Sequence, residues 1–401
     1  MLPPFQTALP ILKTLEDAGF EAFFVGGAIR DMLLERPIHD VDIATSAKPL
    51  EVKALFPHTI DIGIEHGTVL VLYKGGQYEV TTFRTESEYK DYRRPESVWY
   101  VDSLLEDLKR RDFTMNAIAM DDAGKLVDPF SGCDAIRNKT IQTVGSPEER
   151  FHEDALRMMR AIRFTSQLGF TIEAETKRAI SLHAPLLQYI AAERITQEFI
   201  RLLEGPYPYE ALKLLCETKL LSYLPGLNGA ETRLEAKLHP DLNRLTEKQL
   251  WLYLLAVCGL GNKEAFLHQW RLPASKRKEI LRTFGFLQKR LQAEWDLAAL
   301  YDAGETAATD AETVFWALRQ EKWEPRVQTM KEEFLKMKIT ERSELSVTGT
   351  DLMLWFGKSG GPWIKEMLRE SEMAVLNGEI ANDREAIRRW LMCKHQRETE
   401  F

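Results

Sequence analysis

The sequence has few cysteines and no long apolar run. Its 401 residues include four cysteines, which lie far apart and form no CxxC pair, and this excludes a disulfide framework or a zinc site of the usual spacing. No apolar stretch approaches the roughly 20 residues needed to cross a bilayer. The N-terminus also lacks the basic segment and apolar core of a signal peptide. These absences predict a soluble cytoplasmic protein with no membrane partner.

Histidine and net positive charge are also scarce. The eight histidines form no cluster, and His239-Pro240-Asp241 is not the adjacent His-Asp pair of a metal phosphohydrolase. The formal net charge of −8 argues, taken alone, against a nucleic-acid partner, because phosphate binding requires a basic surface. Basic residues nevertheless gather between Arg84 and Arg163. A solvated charged face is the competing interpretation of that segment, so its motifs must decide.

The sequence pattern changes about a third of the way along the chain. Up to about residue 139, short apolar runs bounded by glycine alternate with helical spacing, which is typical of buried strands and helices together. Beyond it strand signals nearly vanish, and one of the predicted amphipathic helices covers 153–168. We therefore predict an α+β protein whose N-terminal head, with a mixed sheet and helices, covers 1–139. All-α segments follow over 140–220, 221–315 and 316–401.

Two aspartates follow a glycine turn. Gly26-Gly27 ends a predicted strand and lets the backbone approach a phosphate closely, and Arg30 would complete an anion site. Asp40 and Asp42 are two apart on a predicted strand, so their side chains share one face. Such a carboxylate pair is costly to desolvate unless a hard divalent cation such as Mg²⁺ resolves it. Exposed loop aspartates are the alternative, and the upstream glycine motif disfavours it.

Two further features extend the predicted metal site. Glu79 lies between apolar neighbours on a predicted strand, where a third carboxylate would complete a two-metal site; an outward glutamate on an edge strand is the alternative. Arg110-Arg111-Asp112 supplies fixed positive charge, which suits a triphosphate whose charge grows on the leaving pyrophosphate. Asp112 could orient an arginine or accept from a ribose hydroxyl.

The predicted helix over 153–168 has a ridge of charged residues. Asp154, Arg157, Arg160 and Arg163 are spaced by three, and a salt-bridged helix face is the simpler interpretation. Cytosine and adenine both present an amino donor beside a ring-nitrogen acceptor. A carboxylate accepts from the amine, and an arginine can donate to the ring nitrogen, whereas guanine and uracil present the opposite pattern. The Asp154–Arg157 pair is therefore predicted to admit C and A, with the other arginines holding triphosphate.

Together these motifs resemble those of the bacterial class II tRNA nucleotidyltransferases (CCA-adding enzymes), in their Bacillus form. The resemblance spans nearly the whole chain. It is carried by GGAIRD with HDVDIATSA, RRDFTMNAIAMD, LVDPFSG, EDALRMMRAIRF, ERITQEF and GPWIKEML. Ser131 of LVDPFSG and Cys133, directly after it, stand where relatives often have Gly and a basic residue.

The resemblance implies a polymerase-beta-like head followed by a neck with the nucleotide-recognition helix, a body and a tail that bind tRNA. It implies template-independent addition and repair of the 3′-terminal CCA of tRNA from CTP and ATP, by a two-metal mechanism with Mg²⁺. A homodimer stays open. The residues carried over are, as metal ligands, Asp40 and Asp42; as phosphate contacts, Gly27 and Arg30; and as nucleotide-binding residues, Arg111, Asp154, Arg157, Arg160 and Arg163.

Three other interpretations stay open at this point. A bacterial poly(A) polymerase shares the head, although Gly63 to Val69 is more typical of CCA enzymes. Enzymes that add only CC or only A are a second alternative, which the loop-like stretch from Glu88 to Pro95 disfavours. A non-catalytic RNA-binding protein on a degenerate head is the third, and intact Asp40, Asp42 and Arg111 argue against it.

Overall fold

The structure is a computed structural model that describes residues 1–63, 67–86, 89–90, 94–95 and 98–396. It divides into two compact units. The first contains Met1–Arg244 together with Gln269–Arg271, and the second contains Leu245–His268 together with the chain from Leu272 onwards.

The first unit contains the strands. They are β1 Ala22–Val25, β2 Asp42–Thr45, β3 Thr59–Gly63, β4 Thr68–Tyr73, β5 Gly76–Thr82, β6 Arg84–Glu86, β7 Tyr89–Lys90, β8 Arg94–Pro95, β9 Val98–Tyr100, β10 Ala119–Met120, β11 Leu126–Val127, β12 Thr140–Ile141 and β13 Thr171–Ile172. Its helices are α1 Pro3–Asp17, α2 Gly27–Leu33, α3 Pro49–Leu55, α4 Leu104–Lys109, α5 Gly132–Arg137, α6 Pro147–Glu153, α7 Leu156–Leu168, α8 Ala174–His183, α9 Ala192–Leu203, α10 Pro208–Glu217 and α11 Glu231–Glu235.

The main sheet of the described residues has the strand order β11-β10-β1-β2-β5-β4-β3. Only the β2–β5 contact is parallel, and all its other strand pairs are antiparallel. The sheet is therefore mixed, and the prediction of an α+β head is confirmed. The glycine-containing turn at Lys74-Gly75 joins β4 to β5 as an antiparallel hairpin.

Helix α1 shows how the sequence pattern builds the core of the head. Its buried residues recur at helical spacing, so one face of the helix is apolar and packs on the sheet. Phe5 of this face meets Phe24 of β1 edge to face, with ring centroids 5.1 Å apart. Burying each such ring contributes roughly 1.5–3 kcal/mol. This packing fixes β1, which runs directly into Gly26.

The helical conformation is interrupted between α6 and α7, so the predicted continuous helix over 153–168 is wrong at its start. Helix α6 ends at Glu153 and α7 begins at Leu156, while Asp154 is extended with φ −139° and ψ 103°. The physical reason is local, because an aspartate can accept a backbone N–H and so favours a helix start over a helix interior. Here Leu156 N donates to Asp154 Oδ1 at 3.0 Å.

In the described residues of the second unit, all the regular secondary structure is helical. Its helices are α12 Glu247–Val257, α13 Lys263–Gln269, α14 Ala274–Gln292, α15 Leu297–Arg319, α16 Glu324–Lys336, α17 Gly349–Phe356, α18 Pro362–Leu376 and α19 Arg384–Gln396. The buried carboxylate of Glu312 accepts from Arg290, Trp295 and Trp316, which ties α14 to α15. Of the helices described, none has the length and apolar character needed to span a membrane.

Candidate active site

An open cavity of about 670 Å³ lies in the first unit, where the head meets α7 and α9. Of the ten predicted site residues, Asp40 and Glu79 are not in its lining, whereas the other eight are. Its charged lining consists of eight arginines and four carboxylates, which are Arg30, Arg84, Arg110, Arg111, Arg157, Arg160, Arg163, Arg194, Asp42, Asp112, Asp154 and Glu198. The excess of positive charge suits a polyanionic ligand such as a nucleoside triphosphate.

A glycine turn lets two charged groups approach the backbone. Gly26 has φ +77° and ψ −136°, which L side chains rarely adopt. A Cβ atom there would lie 3.2 Å from Arg111 Nη1 and 3.7 Å from Asp42 Oδ2. The next residue, Gly27, begins α2, and a Cβ atom on it would lie 3.6 Å from Arg30 Nη2. The two glycines thus bring the backbone to the phosphate-binding cations that the sequence predicts.

Arg30 is held in a fixed orientation at this turn. Its Nε and Nη2 donate to the two carboxylate oxygens of Asp31, both at 3.0 Å, and its Nη1 donates to Asn116 Oδ1 at 2.8 Å. The guanidinium carbon also lies 5.2 Å from the centre of the Phe164 ring. A guanidinium whose donors are fixed in this way is preorganised for a phosphate.

The carboxylates at the end of β2 share a crowded negative environment. Ile43 of β2 pairs with Val80 of β5 in the parallel register. Asp42 and Glu79 are the residues immediately before this pair, one on each strand. Burial raises the pKa of Asp42 to about 6; the charges of Glu79 and Asp40 also raise it, and Arg111 opposes them. Strand β2 begins only at Asp42, so Asp40 lies in the exposed segment before the strand. Glu79 is also exposed.

This donor set fits a cation that is shared with a substrate. Within the ranges that the structure covers, no three side chains of His, Cys, Asp or Glu are gathered closely enough to hold a metal by themselves. Mg²⁺ typically takes one or two carboxylates and completes its shell with phosphates and water. Burial and, after it, repulsion from Glu79 and Asp40 raise the pKa of Asp42, and a divalent cation would relieve both effects.

Arg110 and Arg111 are held by an aspartate that sequence reasoning missed. Asp107, which is fully buried, accepts from Arg110 Nη2 at 2.8 Å and from Arg111 Nη2 at 3.1 Å. Burial alone would raise the pKa of Asp107, but the two guanidinium charges and their hydrogen bonds hold it below its usual value. The i, i+3 and i, i+4 spacing was a visible signal of these contacts.

Asp112 orients an arginine, which is one of the two roles predicted for it. Arg160 Nε donates to its Oδ2 at 2.7 Å, while Phe113 N and Asn116 Nδ2 donate to its Oδ1 at 2.8 and 3.1 Å. Burial opposes the charged form, yet the Arg160 charge and these hydrogen bonds lower the pKa of Asp112 to about 2. The carboxylate therefore ties the head to α7.

Arg163 is buried against a glutamate from α9. Its Nε donates to Glu198 Oε2 at 2.6 Å and its Nη1 donates to Gln167 Oε1 at 2.6 Å. Burial lowers the pKa of Arg163 to about 10, although Glu198 opposes this. Glu198 lies in the ERITQEF segment, which carried the family resemblance but had no residue in the predicted site.

Asp154 and Arg157 line the same cavity with different partners. Arg194 Nη2 donates to Asp154 Oδ2 at 2.7 Å. Arg157 Nη1 donates to Glu153 Oε2 at 2.5 Å, and its Nη2 donates to the carbonyl oxygen of Arg110 at 2.9 Å. Sequence reasoning missed Arg194 because it lies 40 residues from Asp154 along the chain.

Two predicted features fall partly outside the described residues. In the stretch from Glu88 to Pro95, only the short antiparallel pair β7 and β8 is described. In the stretch from Gly63 to Val69, residues 64–66 lie outside. The distinctions from poly(A) polymerases and from enzymes that add only CC or only A therefore stay predictions.

An acidic strand end, a glycine turn and an arginine-lined cavity on a mixed sheet define a nucleotidyltransferase head. Three family models match the chain and agree with this class of protein. They are the poly A polymerase head domain over 22–142, the probable RNA and SrmB-binding site of polymerase A over 169–230, and the putative tRNA nucleotidyltransferase domain 2 over 243–391. The chain belongs to the family of CCA-adding enzymes. Nucleotidyltransferases of this kind generally use a divalent metal.

The relatives match over nearly the full length of the chain. It is 51% identical to a CCA-adding enzyme of Geobacillus sp. (strain WCH70), with 98% of each chain covered, and 49% identical to one of Bacillus cereus, with 96% and 98% covered. The structure of the Bacillus stearothermophilus CCA-adding enzyme in complex with CTP matches with a TM-score of 0.89 and 46% identity, covering all of both chains. The Thermotoga maritima enzyme complexed with tRNA, at 20% identity and a TM-score of 0.67, has the same fold.

Proposed function

We propose that this chain adds and repairs the 3′-terminal CCA of tRNA, using CTP and ATP without a nucleic-acid template and releasing pyrophosphate. The observation that carries the proposal is the convergence, in one cavity, of an acidic strand end, arginines in excess and the Asp154–Arg157 segment. The full-length similarity to CCA-adding enzymes, one of them solved with CTP, supports the same substrates.

Triphosphate binding is assigned to the glycine turn and the arginines. Gly27 lets the backbone approach, and Arg30 presents a guanidinium that Asp31 and Asn116 hold in place. Arg111, Arg160 and Arg163 add charge that offsets the negative charge developing on pyrophosphate.

Asp40 and Asp42 are assigned as the ligands of Mg²⁺, with Glu79 beside them in the adjacent strand. The metal, when bound, supplies activation of the tRNA 3′-hydroxyl and neutralisation of phosphate charge. The assignment is supported by the approach of both the Asp42 carboxylate and the Arg111 guanidinium to the Gly26 turn, where a metal ion and the phosphates could be bound side by side.

Base selection is assigned to Asp154 and Arg157. The carboxylate can accept from the exocyclic amine of cytosine or adenine, and the guanidinium can donate to the adjacent ring nitrogen. Uracil and guanine offer an acceptor where the carboxylate needs a donor, so both are rejected.

The remaining assignments concern the whole chain. We propose a catalytic head over 1–139, a neck over 140–220, and a body and tail over 221–315 and 316–401 that bind tRNA. The protein is assigned to the cytoplasm, where its relatives' class of substrate is processed, and a homodimer is an open alternative to a monomer.

One incorporation assay tests the function. Full-length protein is incubated with Mg²⁺, a tRNA lacking CCA, and each labelled nucleoside triphosphate. The expected product has C, C and A added and then stops, whereas a long A tail would indicate a poly(A) polymerase and addition of only C or only A would indicate a specialised enzyme. No metal-dependent incorporation would contradict catalysis altogether.

The assigned metal ligands are tested in the same assay. Asp40→Ala and Asp42→Ala should each abolish incorporation of both CMP and AMP, because a single carboxylate cannot hold the cation against water. Asp61→Ala is the matched control, since Asp61 is an exposed aspartate of β3 that pairs with Lys53 of α3. Near-normal activity of either site variant would contradict the assignment.

A further inference from the structure

Each residue assigned to read the base is engaged by a different oppositely charged residue. Asp154 Oδ2 accepts from Arg194 Nη2 at 2.7 Å, and Oδ1 accepts from Nη1 at 3.3 Å. Arg157 donates to Glu153 instead. An Asp and an Arg that are three residues apart beside a helix start would ordinarily be candidates for pairing with each other. The presence of Arg194 gives Asp154 another partner.

The contact with Arg194 leaves acceptor capacity on Asp154. A carboxylate offers about four lone-pair sites. In the contacts that the structure describes, Oδ1 accepts from Leu156 N and Arg194 Nη1, while Oδ2 accepts from Arg194 Nη2. One further lone pair of Oδ2 can therefore accept from an exocyclic amine while the ion pair stays intact.

Arg194 is presented by a helix that is firmly anchored. It lies in the first turn of α9. Two residues further on, Thr196 Oγ1 donates to the carbonyl oxygen of Trp270 at 2.7 Å. One turn further on, Phe199 packs against the Trp270 ring with centroids 4.4 Å apart. The position of the guanidinium is thus set by buried packing within the first unit.

We propose that Arg194 is a positioning residue for nucleotide selection. It holds the Asp154 carboxylate in its own ion pair rather than in one with Arg157, so both groups stay directed toward the cavity. This inference rests on the base-reading roles proposed above for Asp154 and Arg157. Without Arg194, a largely buried carboxylate needs a new cation, and Arg157 is the one nearest along the chain.

The inference is tested by nucleotide discrimination. Arg194→Gln removes the charge, whereas Arg194→Lys keeps the charge but loses the bidentate contact. Arg201→Gln is the matched control, because Arg201 is an exposed arginine of the same helix. The ratio of kcat/KM for CTP over UTP is measured on tRNA lacking CCA, and melting temperatures confirm folding.

Arg194→Gln should raise the KM for CTP and lower the CTP-over-UTP ratio by about tenfold or more, the size expected when a two-pronged base contact loses its geometry. Its kcat for CTP at saturation should fall much less, Arg194→Lys should be intermediate, and Arg201→Gln should match wild type. A general structural role would instead lower turnover of all nucleotides equally and leave the ratio unchanged, which would overturn the inference.

Two outcomes separate this inference from the function on which it rests. If wild-type protein adds no C to tRNA, the proposed function fails. If wild type is active and Arg194→Gln discriminates as wild type does, only the role of Arg194 is overturned. Should Arg194→Gln fail to fold, unchanged discrimination by the folded Arg194→Lys variant would overturn it equally.

Discussion

Because Gly26 has no Cβ atom, Arg111 and Asp42 can both approach the turn. The residue's φ of +77° is strained for any L side chain, and the space that a Cβ would occupy is bounded by the Arg111 guanidinium at 3.2 Å. Backbone strain and crowding therefore act together at this position. Gly19 has the comparable φ of +88° with nothing within 4 Å of a Cβ. A side chain at Gly19 would therefore introduce backbone strain without crowding.

Gly26→Ala should lower stability and also weaken nucleotide binding. The strain costs about 1–3 kcal/mol of unfolding free energy, and displacement of Arg111 should raise the KM for CTP several-fold. Gly19→Ala should lose comparable stability with an unchanged KM. Urea unfolding and steady-state kinetics measure the two effects, and an unaltered KM in Gly26→Ala would show that the crowding is relieved without moving Arg111.

At the residue scale, the sequence indicated which charged groups would gather but not what holds them. Asp42, Arg111 and Arg160 stood out because their motifs combine charge with glycine or helical spacing. Arg194 and Glu198 did not, since their partners lie far away in the chain and only the packing of α9 against α7 brings them together. Side-chain pairs of that kind depend on tertiary structure, which spacing does not report.

At the scale of elements, the Asp112–Arg160 ion pair joins the segment after α4 to helix α7. The pKa of Asp112 lies at about 2, below its usual value near 3.8. Because the folded pKa is depressed, the ionised carboxylate stabilises the fold above the unfolded pKa, and this contribution is lost as pH falls through the folded pKa. The window for this loss is from about pH 4 to pH 2.

Asp112→Asn should reveal that window. Above pH 5 the variant should be less stable than wild type by a constant amount, roughly 2 kcal/mol, because the ionised carboxylate that pairs with Arg160 is lost. The difference should shrink between pH 4 and pH 2. Chemical unfolding of both proteins across this range measures it, and a difference that stays constant down to pH 2 would mean that Asp112 contributes no proton-linked stability.

The elements were predicted with three errors. Asp40 lies outside the strand predicted to hold it, and the pair β12–β13 lies in a segment predicted to be all-α. The mixed sheet follows from periodicity and glycine position, because backbone geometry and apolar pattern agree there. The predicted helix over 153–168 failed at its start, where the charged side chain of Asp154 competes for a backbone N–H. Helical spacing of charges gave no warning of this, since the same i, i+3 pattern continues across the break.

At the scale of the whole molecule, a net charge of −8 coexists with a proposed tRNA substrate. The explanation is local concentration of cations, as in the cavity and on α19. There, Arg388 lies over the Trp355 ring at 5.7 Å, and both Arg388 and Arg389 are exposed. In the segment proposed as the body, by contrast, Lys276 is paired with Glu247.

Binding of tRNA should therefore weaken steeply with salt despite the acidic total. The logarithm of the association constant should fall linearly with the logarithm of salt concentration, by roughly 0.7–0.9 per phosphate contacted. Arg388→Gln with Arg389→Gln should make this slope shallower by about 2. Filter binding from 50 to 200 mM salt measures it, with Arg137→Gln as an exposed control; an unchanged slope would exclude these two arginines from the interface.

The break between α6 and α7 has a consequence for how such a protein can change over evolutionary time. Asp154 stands at a joint, so replacing it disturbs one helix start and one ion pair, while the interior of α7 keeps its hydrogen bonds. Arg157 is buried in the first turn of α7 and donates to two backbone carbonyls as well as to Glu153. If the two residues read the base as proposed, drift in substrate preference is open at Asp154 and constrained by folding at Arg157.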